Sequence, residues 1–176
     1  ASRAQIPEGA APKEYFNRNL SCTVDGRERD VSLLETSWTH DDFHQHRSSS
    51  AEMRADVCVL CFSVGSPPSF MSVMHDWYPE MDALWPEVPF VLVGLQKELR
   101  YDTDTLHECA QNGVSPVHPT DGEQLAEEIG ASAYIECSSL TSPADVIEVF
   151  ETAIRCAGRP RPAKPEEPPR RLCNVS

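Results

Sequence analysis

Three histidines and two aspartates crowd one short stretch of this chain: His40, Asp41, Asp42, His44 and His46. Histidines four residues apart share a helix face and suit a divalent metal, but no third ligand stands at a defined spacing. A polar loop is the plainer reading, and no metal site is expected. Seven cysteines are scattered along the chain: Cys22, Cys58, Cys61, Cys109, Cys137, Cys156 and Cys173. Cys58, Cys61 and Cys137 lie in apolar runs, where a thiol serves as a small buried hydrophobe. The odd count, without a secretory leader pattern, fits a reducing compartment. The last four residues, Cys173-Asn174-Val175-Ser176, fit C-a-a-X, in which the cysteine is prenylated and a terminal serine favours farnesyl. One lipid holds a protein at a membrane only marginally, so Arg170 and Arg171 would add a weak basic second signal. Cys156 reads as a helix-end thiol packed on the core, with acylation as its alternative. No Ser–His–Asp or Cys–His order is recognisable, so no catalytic residue is assigned. Only three lysines occur, Lys13, Lys97 and Lys164, and none follows a glycine. The sequence therefore contains no Gly-x-x-x-x-Gly-Lys-Ser/Thr loop, whose N–H groups and lysine neutralise nucleotide phosphates.

The elements that must position these residues follow from periodicity. Asn19–Val24 and Asp30–Leu34 flank Asp25-Gly26, a hairpin signal because both turn residues tolerate positive φ. Val57–Phe62 and Val88–Gly94 are continuous apolar runs, as parallel strands covered on both faces require; Ala133–Cys137 is a third. Phe70, Val73, Met74, Trp77, Met81 and Leu84 recur at helical steps that Pro79 is expected to break. Trp77 and Trp85 are expected to pack against that helix's neighbours. Leu125, Ala126 and Ile129 predict a second helix capped by Gly130, and Val146, Val149, Phe150, Ala153 and Ile154 a third ending near Gly158. Alternating strands and helices give an α/β fold, a doubly wound, mostly parallel sheet with an antiparallel hairpin. In such sheets ligands sit at the carboxyl ends of the strands, which selects the loops Ser63–Ser66, Leu95–Leu99 and Ser138–Thr141.

The formal charge of −13 is unevenly spread: residues 158–176 carry +3 and residues 1–157 carry −16. An acidic body repels phosphates, so no nucleic acid is expected as partner. Residues 1–157 read as one domain and the proline- and arginine-rich residues 158–176 as a flexible tail. A basic tail on an acidic body points to a membrane surface or an acidic partner.

From about Pro7 to Cys173 the chain resembles Rho-type small GTPases. ADVCVLCFSVGSPPSF with WYPE is similar to that family's fourth strand and following helix, and VPFVLVGLQKELR to the strand entering the guanine-recognition loop. Tyr101–Pro119 resembles the helical insert of Rho proteins, EEIGASAYIECSSLT the last strand and base-covering loop, and PEGAAPKEYFNRNLSCTVDG the effector loop and hairpin.

The resemblance implies a small-GTPase fold whose first strand and phosphate loop are missing, with GTP or GDP and Mg²⁺ as the family's cofactors. Residue by residue, the site departs from the family. The effector-loop threonine that meets Mg²⁺ aligns with Lys13, and Tyr15 and Arg18 replace the usual phenylalanine and tyrosine, with Asn17 beside them. Asp-Thr-Ala-Gly-Gln reads Glu35-Thr36-Ser37-Trp38-Thr39, so the glycine that meets the γ-phosphate is Trp38 and the water-orienting glutamine is Thr39. The guanine motif reads Leu95-Gln96-Lys97-Glu98: Gln96 loses the packing lysine, and Glu98 keeps a carboxylate one methylene longer. Ser138, Ser139 and Leu140 stay close to the base-covering loop. Trp38 fills the pocket or presents a partner surface.

The expectation is a membrane-tethered, non-cycling interaction module on the cytoplasmic face of a membrane, expected to be the plasma membrane, or in the cytosol if unprenylated. It would bind no cofactor and meet effectors or regulators of Rho signalling. The alternative is a GTP-binding switch whose phosphate loop is absent from this chain through truncation or splicing.

Overall fold

Asp25 and Gly26 take φ of 51° and 73°, a pair of left-handed turn residues that matches the twist of the strands they join. The computed structural model describes residues 16–35 and 55–163, and the chain divides into two units, Ala1–Met53 and Arg54–Ser176. In the first, β1 (Phe16–Val24) pairs antiparallel with β2 (Arg27–Glu35), in register from Val24↔Arg27 to Phe16↔Glu35. The ladder starts directly at the turn and runs through Arg27-Glu28-Arg29, where no apolar alternation marks a strand.

In the second unit β3 (Cys58–Ser63), β4 (Phe90–Leu95) and β5 (Ala133–Cys137) form a parallel sheet in the order β3-β4-β5. After β3 come α1 (Pro67–Ser72), a π-helical turn at Val73–Trp77 and α2 (Tyr78–Leu84). A 3₁₀ turn at Lys97–Tyr101, α3 (Thr103–Gln111) and α4 (Pro119–Ile129) lie between β4 and β5, and α5 (Pro143–Cys156) closes the unit. Alternate residues of a strand point to opposite faces. Phe90 and Leu92 thus join Phe62, Val73, Met81 and Leu125 in one core, while Val91 and Val93 join Cys137, Val149 and Ala153 in the other. That two-sided burial is why β4 reads as an unbroken apolar run.

Pro79 does not break its helix. Tyr78 donates its N–H to Val73 O, a five-residue step, and the wide turn carries the chain into α2 with Pro79 at its start, where no N–H is needed. Trp85 packs against the first core as expected, but Trp77 is 37% exposed, because the wide turn shifts the helix phase. Cys137 is buried and Cys58 half-buried, whereas Cys61 is exposed, contrary to its apolar setting. Cys58 and Cys61 stand three apart on an extended strand, so they face opposite sides of the sheet. Cys58 packs on the first core. Cys156 is buried in the second core, in line with a packing role. Gly130 ends α4 at φ 72°, as the helix signal predicts. Among the described residues no helix is long and apolar enough to cross a membrane.

Candidate functional site

Parallel register sets the three candidate loops level. Ser63 pairs with Leu95 and Leu95 with Cys137, so β3, β4 and β5 end side by side and their next residues emerge at one edge of the sheet. Gln96 turns the chain off β4 in a left-handed conformation, φ 58° and ψ 45°. There its side-chain oxygen accepts a 2.7 Å hydrogen bond from the Ser63 hydroxyl. The turn after β3 packs tightly on the next loop: a Cβ at Gly65 would lie 2.9 Å from Leu99 Cδ1 and 3.1 Å from Thr105 Cγ2, so a larger residue there would require Leu99 to shift.

Asp145, in the first turn of α5, collects the partners of the third loop. Its Oδ2 pairs with Lys97 Nζ at 2.6 Å and accepts from the Ser138 N–H at 3.3 Å, and its Oδ1 accepts from the Ser142 hydroxyl at 2.7 Å. Lys97, Ser142 and the Ser138 N–H together hold the Asp145 carboxyl below the usual carboxylate range. The start of a helix also favours an anion there. Ser138 is fully buried, and its Oγ accepts from the Thr141 N–H at 2.9 Å. Ser139 is exposed and Leu140 is 79% exposed, so neither joins this network by packing.

Glu98 behaves differently. Its Oε2 is buried and has no hydrogen-bond partner among the described residues. An unpaired buried acceptor costs about 1–3 kcal/mol, so this oxygen favours a donor brought by something else. Behind it, Arg100 makes two hydrogen bonds to Glu136 of β5, at 2.8 and 2.6 Å, and its Nε donates to Val117 O at 3.0 Å. The Tyr134 hydroxyl adds a 2.6 Å bond to Glu136 Oε1. Burial alone would raise the Glu136 pKa, but the bonds from Arg100 and Tyr134 outweigh it and leave it lowered. Tyr134 moves up, through burial and then its bond to that carboxylate. This network fixes the 3₁₀ turn that carries Glu98.

Of the residues singled out by sequence, Gln96 and Ser138 are held in this edge and Glu98 is anchored beside them. Asn17 and Glu35 lie on the hairpin, opposite Leu34 and Phe16. Lys13, Tyr15, Thr36, Trp38, Thr39, Cys173 and the three histidines at 40, 44 and 46 lie outside the described residues. An open groove of about 380 Å³ along Asn19, Leu20, Ser21, Asp30, Val31 and Ser32 belongs to the hairpin and contains none of the loop residues. Ser63 and Lys97 fall in loops that strand topology selects, but neither they nor Asp145 is singled out as a site residue by the sequence. A signal existed for Asp145: Ser142-Pro143-Ala144-Asp145 before an apolar run is a helix-start pattern. A family model described as Ras, the Ras family, matches residues 14–158 and so takes in the hairpin, the parallel sheet and all three loops.

Proposed function

The chain belongs to the Ras family of small GTPases, and from that premise we propose a Rho-type member that does not cycle between nucleotide states. It acts as a signalling and interaction module, tethered to a membrane by a lipid on Cys173. The observation that carries this reading is the Lys97–Asp145–Ser138 network. Loops that in this family surround a guanine base here hold each other through an internal carboxylate. The residues present fit a nucleotide at one end only. Glu98 Oε2 is a buried acceptor that suits the N–H edge of a base. For the phosphates and Mg²⁺ the 176 residues offer no glycine-rich lysine loop, and Lys13 puts a cation where the metal's threonine ligand stands in the family. The surfaces available to Rho effectors or regulators are the segments Lys13–Arg18 and Glu35–Arg47. Their altered residues select a different set from the usual partners.

Calorimetric titration of the folded chain with GTP and with GDP in millimolar Mg²⁺ tests the central claim. No heat and no rise in melting temperature well above micromolar ligand is the expected result; saturable, Mg²⁺-dependent binding overturns it. Tethering is tested by membrane fractionation, where Cys173→Ser is expected to move the protein into the soluble fraction.

The unpartnered Glu98 oxygen favours a second reading: a guanine-nucleotide switch whose phosphate loop lies outside these 176 residues. On that reading GDP binds a longer chain and the binding is lost in Glu98→Ala.

A further inference from the structure

Beyond α5 the chain turns back at Gly158, φ 73°, and Arg159 donates its N–H to Cys156 O at 3.0 Å. Pro160 and Pro162 then flank Arg161, and neither has an N–H with which to bind the body. The Arg161 side chain is nevertheless only 7% exposed. Its Nη1 pairs with Asp82 Oδ1 at 2.5 Å and donates to Pro86 O at 3.1 Å. Its Nη2 donates to the Tyr78 hydroxyl at 3.2 Å and to Ile129 O at 3.4 Å. The guanidinium carbon lies 4.7 Å from the Phe90 ring centre and 5.6 Å from that of Tyr78, within cation–π range of both.

We infer that Asp82, Tyr78, Phe90 and the carbonyls of Pro86 and Ile129 form a guanidinium-binding socket, filled in cis by Arg161, which straps the C-terminal segment to the body and can release it. A carboxylate, two carbonyls and two aromatic faces converging on one planar cation select arginine over lysine, whose point charge cannot use the fork and the rings together. The socket is assembled from α2 and the turn after it, the start of β4 and the end of α4, so it exists independently of the strap. Two features make the attachment releasable rather than permanent. Arg161 Nε is buried without a hydrogen-bond partner among the described residues, so the fit carries a penalty that solvent would relieve. The flanking prolines leave the attachment to a single side chain. The same socket would accept an arginine of a partner protein once Arg161 leaves. None of this depends on the nucleotide-binding state of the loops.

The test is thermal melting of the full chain as wild type and as Arg161→Ala, each with tens of millimolar methylguanidinium or methylammonium at equal ionic strength. Arg161→Ala is expected to melt several degrees lower, methylguanidinium to restore at least half of that loss, methylammonium none, and wild type to respond to neither. Equal melting of the two proteins, or equal rescue by the two salts, overturns the socket. Should Arg161→Ala not fold, the wild-type chain answers by hydrogen exchange. Methylguanidinium is then expected to speed exchange several-fold over methylammonium at Arg159, whose N–H is held by Cys156 O, while β4 is unchanged. Equal rates at that amide overturn the proposal.

Discussion

At the scale of single residues, the loop edge is organised by charge, and each charge makes a different prediction. Arg100 and Glu136 are paired with side chains 13% and 14% exposed. Removing one member strands the other, at a cost of about 3 kcal/mol. Arg100→Met should lower urea stability by that amount, and a loss below about 1 kcal/mol would show the pair to be solvent-compensated. Glu98 points the other way. With Oε2 unpartnered among the described residues, Glu98→Met is expected to raise stability by about 1 kcal/mol in the absence of nucleotide, since it removes a buried acceptor and keeps the stem volume. A destabilised variant would reveal a donor to that oxygen. For Asp145 the handle is pH. Its lowered pKa means that its stabilising contribution is present above the unfolded carboxylate value, about 3.9, and is lost as pH falls through the lower folded value. Melting temperatures of wild type and Asp145→Asn should therefore differ most above about pH 5 and converge below about pH 4. A gap that persists at lower pH would exclude the carboxylate as its source.

Elements were legible where their signal is local. Asp25-Gly26 marked the hairpin, Ala133–Cys137 stands as β5 with unchanged bounds, and Gly130 marked the end of α4. The loop edge was legible too, because parallel topology alone says where strands end together. What escaped was long-range. Arg100 and Glu136 are 36 residues apart and Arg161 and Asp82 are 79 apart, and no periodicity connects such pairs. The break expected at Pro79 is absent because a π turn, which has no distinctive composition, carries the chain into α2. One helix–strand contact shows the same coupling: a Cβ on Gly122 of α4 would lie 2.1 Å from Tyr134 Cζ of β5. Gly122→Ala should cost about 1–3 kcal/mol by overpacking. In a Tyr134→Ala background it should become neutral or stabilising, since alanine is the better helix former. Equal penalties in both backgrounds would place the conflict elsewhere.

At the scale of the molecule, the chain combines an acidic stretch over residues 1–157, a basic stretch over residues 158–176 and a loop cluster at the carboxyl ends of the strands tied by the Lys97–Asp145 pair. Family membership supplies the fold, and the 176 residues contain no Gly-x-x-x-x-Gly-Lys-Ser/Thr loop. The central position of β4 has a kinetic consequence. Both of its neighbours are parallel and reach it only through long crossovers, so neither pairing forms before a large loop has closed. A strand shared by two such closures is expected in the folding nucleus, and interactions made in the nucleus govern the rate of folding more than that of unfolding. In a chevron experiment, Val93→Ala should lower mainly the refolding arm, whereas Leu20→Ala on the hairpin should leave that arm where it is.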